Sequence, residues 1–269
     1  MSIKTGEFIQ SIERVAPKAQ AESWDNIGWQ IDLGKSEISK VYIALEITNK
    51  VIEDAKKRGA DVILTHHPML FNPVRTIDSR SVIGKYIFSL ISAGISVYSA
   101  HTNYDSAFGG MNDVLADMLG LNKIRKIEID PSKKIEHGEN PVGRMGEFET
   151  PITLEDACTL VKTALGIDAV KIVGEKNAMV RKVALCAGSG SDSIPAAILR
   201  KCSLFITGDV KHHQAQAAKE SGLNIIDAGH YATENHFVTQ LSEKLKDAHG
   251  DSLTVIQSTV NADPFDAIV

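Results

Sequence analysis

Three features that often reveal a protein's class are scarce in this sequence: paired cysteines, long apolar runs and an excess of basic residues. Its 269 residues include only three cysteines, Cys158, Cys186 and Cys202, and none of them stands in a CxxC motif. An odd number of scattered cysteines argues against a disulfide framework, which predicts a protein of the reducing cytosol. Since Cys186 ends an apolar run, we expect it to be packed in a core rather than reactive.

The same scarcity argues against membranes and nucleic acids as partners. No apolar run approaches the roughly 20 residues that a membrane-spanning helix needs, and the first residues lack the apolar core of a signal peptide. The formal net charge is -5 and the isoelectric point is near 6.0, so the chain lacks the basic surface that attracts a phosphate backbone. We therefore expect a cytoplasmic protein that binds neither membranes nor nucleic acids and acts on a small molecule.

Alternating strands and helices, by contrast, are predicted twice along the chain. Apolar runs of strand length are separated by segments whose apolar residues have helical spacing. In the first series we predict strand 41–45, helix 51–58, strand 61–64, helix 81–93 and strand 95–98. In the second series we predict strand 183–187, helix 194–201, strand 204–207, helix 212–220, strand 223–227 and a long amphipathic helix at 233–247. This alternation is typical of an α/β protein.

The matching order of the two series indicates a degenerate internal duplication that gives two similar α/β lobes. The predicted boundaries are 1–123 for the first lobe, 124–182 for a linking segment with a hairpin and a helix, and 183–269 for the second lobe. The linking segment is richer in charged and turn-forming residues than its neighbours. Coincidence is the alternative explanation, because strand–helix alternation is common.

Imidazoles and carboxylates follow three of the predicted strands, at the point where each apolar run stops. They are His66 and His67 after strand 61–64, His101 and Asp105 after strand 95–98, and His230 and Glu234 after strand 223–227. Strands of one sheet can converge at such ends, where α/β proteins place their chemistry. Imidazole and carboxylate are ligands for Zn, Fe, Mn or Ni. The sequence therefore predicts a metal site large enough for two ions.

Each of these signals also has an ordinary structural explanation. Neighbouring residues of a continuing strand point to opposite faces, which would leave His66 and His67 as polar loop residues. Glu234 suits the first turn of a helix, where a carboxylate complements the helix dipole. The three motifs together support a metal site more strongly than any one of them alone, because they lie at comparable strand ends.

Three further motifs leave alternatives open. His212 and His213 mirror the first histidine pair in the duplication, and they either reach the site as outer donors or lie on a helix surface. The glycine- and serine-rich segment 188–191 is either an anion-binding turn or a tight turn with a polar cap. The segment from Trp24 to Gln30 is more consistent with core anchoring than with a cleft rim or a subunit contact.

Together these motifs resemble the Nif-three-like proteins, often labelled GTP cyclohydrolase I type 2 homologs. The matching stretches, in family order, are Trp24 to Gly28, Thr65 to Pro68, His101 to Asp105, Thr207 to Asp209 and Gly229 to Glu234. They span nearly the whole chain, so the resemblance is specific. One departure is Glu46, where family members usually have aspartate.

The resemblance implies a dinuclear metal site in the cleft between two similar α/β lobes, and a hexameric ring of identical chains. Carried over residue by residue, the implied ligands of the two divalent ions are His66, His67, Asp105, His230 and Glu234. His101 falls beside them without a fixed role.

Our leading hypothesis is a metal-dependent hydrolase that acts on a nucleotide-like or cyclic amide substrate. Two ions in one site lower the pKa of water and polarise the group under attack. His101 is the candidate general acid or base, because a free imidazole titrates near neutrality. The rival hypothesis is a non-catalytic metal-binding or partner-binding scaffold that uses the same ligands.

Overall fold

A computed structural model describes residues 1–127 and 142–265 of the chain. The described residues form two compact units. The first unit consists of Met1–Ala107 and Asn235–Pro264, and the second contains the described part of Phe108–Glu234. Within the described ranges, we find no helix long and apolar enough to cross a membrane.

Strands and helices alternate through both units. The strands are β1 (Ile3–Lys4), β2 (Gly28–Ile31), β3 (Glu37–Ile38), β4 (Lys40–Ala44), β5 (Val62–Thr65), β6 (Ser96–Ser99), β7 (Asn122–Lys126), β8 (Arg144–Thr153), β9 (Lys171–Val173), β10 (Met179–Leu185), β11 (Leu204–Thr207), β12 (Asn224–Asp227) and β13 (Thr254–Gln257). The helices are α1 (Thr5–Val15), α2 (Asn49–Arg58), α3 (Val82–Ser92), α4 (Thr102–Ser106), α5 (Met111–Met118), α6 (Leu154–Leu165), α7 (Ile194–Leu199), α8 (His212–Glu220), α9 (His230–Glu234) and α10 (His236–His249).

The first unit is built on a five-stranded sheet in the order β13-β4-β5-β6-β2. Its first four strands are parallel, and β2 pairs with β6 in the antiparallel direction. Every residue of β5 and β6 is buried, as expected for parallel strands covered on both faces. Helix α2 begins at the cap residue Thr48, whose hydroxyl accepts from the amide of Val51, and ends at Gly59 in the left-handed conformation.

The second unit is built on a six-stranded sheet in the order β7-β8-β10-β11-β12-β9. Strands β10, β11 and β12 are parallel, and they are flanked by β8 and β9 in the antiparallel direction. A core beside this sheet contains Phe205, Ile225 and Ala218 together with Cys186 and Cys202. The prediction that Cys186 is packed in a core is therefore confirmed.

The two sheets share a topology that supports the internal duplication. In each unit three parallel strands follow one another in chain order, and an earlier strand closes the sheet beside the third. Val41 of β4 lies opposite Val62 of β5, as Val183 of β10 lies opposite Leu204 of β11.

Identical residues also make identical contacts in the two units. The Lys40 ammonium donates to the carbonyl of Arg58 at the end of α2, and the Lys182 ammonium donates to the carbonyl of Arg200 after α7. Similar lobes with matching register are difficult to explain by coincidence.

The division into units differs from the predicted boundaries of 1–123, 124–182 and 183–269. Residues from the predicted linking segment supply β8 and β9 to the second sheet, whereas α10 and β13 belong to the first unit. The predicted helix 233–247 is two helices, α9 and α10, with Asn235 between them. Periodicity identified an amphipathic helix correctly, but it carries no information about which sheet the helix covers.

Candidate metal centre

Three imidazoles meet at the ends of β5 and β6 in the first unit. The ligand nitrogens of His66, His67 and His101 all lie within 4.8 Å of one another. Asp105 joins this cluster, with its Oδ1 3.5 Å from Nε2 of His66. The His66 side chain is fully buried, whereas those of His67 and His101 are 24% and 14% exposed. The cluster therefore has a buried back and a face that solvent can reach.

A turn at the end of β5 explains how two adjacent histidines reach one cluster. The amides of His66 and His67 both donate to the carbonyl of Leu45, at 3.1 and 2.9 Å. The Thr65 hydroxyl donates to the carbonyl of His67 at 2.9 Å. Because these bonds end the strand, the side chains no longer alternate between its faces, and the two ring centroids lie 5.1 Å apart.

The Nδ1 atoms of these histidines face backbone or carboxylate oxygens. Nδ1 of His66 lies 2.9 Å from the carbonyl oxygen of Ala100. A carbonyl only accepts, so this nitrogen carries the proton and Nε2 keeps its lone pair when the ring is neutral. Nδ1 of His101 lies 3.0 Å from Oδ1 of Asp25, and Nδ1 of His67 lies 3.8 Å from Oε2 of Glu46. Such partners fix ring orientation in metal sites.

Asp25 is held as a carboxylate by the residues around it. Burial is the largest influence and would raise the pKa of Asp25, but the hydrogen bond and charge of His101 and two hydrogen bonds from Thr102 outweigh it and lower the pKa. The Thr102 amide donates to Oδ2 at 3.0 Å, and its hydroxyl donates to the same atom. The segment from Trp24 to Gln30 thus supplies an anion that orients His101.

The second unit has a histidine–glutamate pair of its own at the end of β12. His230 and Glu234 are the first and last residues of α9, and their separation of four places both on one helix face. Nε2 of His230 lies 3.0 Å from Oε2 of Glu234, while Nδ1 lies 2.7 Å from Oδ2 of Asp209. Glu234 ends the five-residue helix α9 and precedes Asn235, the cap residue of α10, so it lies outside the first turn of either helix.

A glycine loop lies against this pair. Gly188 has a φ of +64°, and a β-carbon there would lie 2.0 Å from Oε1 of Glu234 and 3.1 Å from Nε2 of His230. The amide of Gly188 donates to the Thr233 hydroxyl and that of Gly190 to the Thr207 hydroxyl, each at 2.9 Å. The amides of Gly188 and Gly190 are thus used within the protein, which favours the tight-turn alternative for this loop, and Gly188 allows the close approach to Glu234.

The donor set fits divalent transition ions. It consists of imidazole nitrogens and carboxylate oxygens without thiolate, which suits Zn, Fe, Mn or Ni. Two ligand atoms about 2.1 Å from one ion at a tetrahedral angle lie about 3.4 Å apart. The observed separations of 3.5 Å between His66 and Asp105 and 3.0 Å between His230 and Glu234 are near that value.

Sequence reasoning missed some residues and misplaced others. The sequence alone predicts no role for Asp25 or Asp209, although both lie in the motifs Trp24 to Gln30 and Thr207 to Asp209. His212 and His213 are exposed at the start of α8, as the helix-surface alternative predicted. Trp24 is 59% exposed, so core anchoring is wrong for this residue.

Known proteins with similar sequences cover the whole length of the chain. The profile of the Duf34/NIF3 family (NGG1p interacting factor 3) matches residues 3–264. A Clostridium perfringens protein named GTP cyclohydrolase 1 type 2 homolog is 38% identical over 266 residues, which cover 99% of this chain and 100% of that protein. A Methanocaldococcus jannaschii protein of the same name is 34% identical over 234 residues, which cover 86% of this chain and 90% of the other.

Solved structures give the same result at the level of fold. A Bacillus cereus protein related to NIF3 has a TM-score of 0.87 and 26% identity, with 99% of each chain covered. Reduced HcgD from Methanocaldococcus jannaschii has a TM-score of 0.82 and 32% identity, with 97% of this chain and 99% of that chain covered. The α/β fold with two similar lobes is therefore shared with these proteins.

Proposed function

Because the chain belongs to the Duf34/NIF3 family, as its motifs predicted, we propose that it is a metal-dependent hydrolase with a dinuclear site. The proposed ligands of the two divalent ions are His66, His67, Asp105, His230 and Glu234. The observation that carries the proposal is the oxygen that faces Nδ1 of His66 and of His230 at hydrogen-bonding distance, which leaves Nε2 of each neutral ring to bind metal. When bound, the ions supply Lewis acidity and lower the pKa of water.

The placement of His66 and Asp105 supports a ligand role for both residues. The His66 side chain is fully buried, and its Nε2 lies 3.5 Å from Oδ1 of Asp105. Two ligand atoms about 2.1 Å from one ion at a tetrahedral angle lie about 3.4 Å apart, so this separation suits the binding of one cation by both atoms.

His101 is proposed as the general acid or base rather than as a ligand. Asp25 fixes its ring from one side and is itself held by Thr102, as a carboxylate fixes a catalytic histidine in other hydrolases. The side chain is 14% exposed, so it can exchange a proton with a substrate atom at the open face of the cluster.

The proposed substrate is a nucleotide-like molecule or a cyclic amide. The relatives named GTP cyclohydrolase 1 type 2 homolog support this class by name, and a formal net charge of -5 favours small molecules over nucleic-acid polymers. The non-catalytic alternative, a metal-binding or partner-binding scaffold, requires the same ligands but no turnover.

A substrate panel separates the two functions. Nucleotides, phosphoesters and cyclic amides would be incubated with protein loaded with Mn²⁺, Zn²⁺ or Fe²⁺. We expect hydrolysis of at least one compound, lost in His67→Ala and retained in His213→Ala, whose histidine is exposed on α8. Absence of turnover across the panel, with two ions bound per chain, would favour the scaffold.

We also propose a homohexamer, which the family resemblance implies. Light scattering at micromolar concentration is expected to give a mass near six times 29.2 kDa. A monomeric mass under these conditions would contradict the proposal.

A further inference from the structure

Two exposed aromatic side chains lie beside the histidine cluster of the first unit. Trp24 is 59% exposed and Phe71 is 53% exposed, and their ring centroids are 5.7 Å apart. The ring of His101 lies edge-on to both, with centroids 6.1 Å from Trp24 and 6.3 Å from Phe71. The aromatic pair is therefore continuous with the imidazole proposed as general acid or base.

Side-chain amides hold the two aromatic residues in place. The Asn26 amide donates to the carbonyl of Leu70 at 2.7 Å. The Gln30 side-chain oxygen accepts from the amide of Leu70 at 3.1 Å, while its nitrogen donates to the carbonyl of Asn26 at 2.7 Å. These bonds join the segment after Trp24 to the residue before Phe71, so the exposed rings are positioned by a specific network.

The exposed area suits a small ring better than a protein. The exposed parts of one tryptophan and one phenylalanine amount to something on the order of 250 Å². A stable protein interface needs about 800 Å² from each partner. The two rings are inclined at 55°, so they form an open wedge with two aromatic faces. Flat heterocycles stack on such faces regardless of their hydrogen-bonding pattern.

We propose that Trp24 and Phe71 form an aromatic platform that binds the planar heteroaromatic ring of the substrate and brings it to His101. The proposal rests on the proposed function, because it assigns the platform to that substrate. It explains why the polar segment from Trp24 to Gln30 leaves an indole exposed to solvent. Asp25 orients His101, and Asn26 and Gln30 join this segment to the one that carries Phe71. Trp24 is then available to contact the ring of the substrate.

Calorimetric titration of the full-length, metal-loaded protein tests the platform with two probes. Guanosine monophosphate carries a heteroaromatic ring, and ribose 5-phosphate has the sugar and phosphate without it. We expect the first to bind and the second to bind much more weakly. Loss of one stacking face, in Trp24→Ala or Phe71→Ala, should weaken binding of the nucleotide roughly 5- to 150-fold.

Two variants serve as controls. Trp24→Phe retains an aromatic face and should recover most of the affinity. Phe108→Ala removes an aromatic residue that is 78% exposed in the second unit, and it should leave the affinity unchanged. The platform is wrong if the two probes bind equally or if neither binds. It is also wrong if Trp24→Ala leaves the nucleotide affinity unchanged. Light scattering that shows dissociation of an oligomer in the Trp24→Ala variant would instead place Trp24 at a subunit contact and would overturn the platform.

Metal analysis of the same samples separates this proposal from the proposed function. Two ions per chain together with nucleotide binding that ignores Trp24 would overturn the platform alone. Nucleotide binding that depends on Trp24 in a chain that never holds metal would support the platform and overturn the dinuclear hydrolase.

Discussion

At the end of β5 the first unit has His66 and His67, whereas the corresponding residues after β11 in the second unit are Gly208 and Asp209. The strand pairing fixes this correspondence, because Thr65 lies opposite Ser99 as Thr207 lies opposite Asp227. A side chain at position 208 is excluded: a β-carbon there would lie 2.6 Å from the backbone of Gly229 and of His230. At these positions the first unit thus has two imidazoles, whereas the second unit has the Asp209 carboxylate, which orients the imidazole of His230. The expectation that His212 and His213 mirror the first pair is wrong.

The histidine–carboxylate pairs differ by a shift of one residue. The amides of Ala100 and Ala228 donate to the carbonyls of Thr65 and Thr207, so these alanines correspond. His101 is then the residue that precedes α4, while His230 is the first residue of α9. The common spacing of four therefore does not mark equivalent positions. The two units share a scaffold, and each carries its own arrangement of polar groups at the ends of its strands.

The largest effect, a loss of bound metal, is expected when a proposed ligand of the second unit is removed. His230→Ala removes the nitrogen that faces Glu234, so the chain should lose at least one of two ions even in excess metal. His212→Ala changes an exposed histidine of α8 and should retain both ions. Elemental analysis of the two purified variants measures the difference. Equal metal contents would mean that the ligands of the second unit are assigned wrongly.

A second test concerns the glycine that distinguishes β11 from β5. Gly208→Ala should reduce the free energy of unfolding by about 1 to 3 kcal/mol, because the added methyl group meets backbone atoms that cannot move aside. Gly6→Ala is the control, since a β-carbon at that helical position meets nothing within 4 Å. Urea unfolding monitored by circular dichroism gives both values. A Gly208 variant as stable as the control would refute the close approach.

The carboxylates behind the two histidines provide the third test. Asp209 orients a proposed ligand, so Asp209→Ala should weaken metal affinity about 10- to 100-fold. Asp25 orients His101, which we do not propose as a ligand, so Asp25→Ala should leave metal affinity unchanged while reducing turnover. Competition with a chromophoric chelator measures affinity. A comparable loss of affinity in both variants would make His101 a ligand.

Much of this arrangement was predictable from the sequence, and the remainder was not for identifiable reasons. Strands such as 204–207 follow from apolar runs, and the imidazoles at their ends follow from where those runs stop. The pairing of Asp25 with His101 joins residues far apart in sequence, and periodicity carries no signal for such a contact. The equivalence of His66 with Gly208 depends on strand register, which only the paired sheet reveals.

A final difference between the units lies at the start of β5 and β11. Asp61 precedes β5, and its carboxylate accepts from the amides of Ser39 and Lys40 at 2.8 and 3.0 Å and from the Lys35 ammonium at 2.9 Å. Ser203 precedes β11, and its hydroxyl accepts from the amide of Arg181 at 2.9 Å. The first unit thus uses a charged anchor where the second uses a neutral one.

This difference predicts a small pH-dependent effect on stability. Burial is the largest influence on Asp61 and would raise its pKa, but the bonds from Lys35, Ser39 and Lys40 outweigh it and lower the pKa below 3.8. The ionised Asp61 therefore stabilises the folded chain above pH 3.8, and this contribution is lost as the pH falls through the lowered pKa.

Asp61→Asn should reduce the free energy of unfolding by about 1 to 2 kcal/mol at pH 7, and the deficit should shrink as the pH falls below 3.8. Ser203→Ala should cost a similar or smaller amount that does not change with pH, because a hydroxyl does not titrate in this range. Urea unfolding of both variants and the parent chain between pH 3 and pH 7 measures the two deficits. A deficit for Asp61→Asn that stays constant over this range would show that the carboxylate acts through its shape and not through its charge.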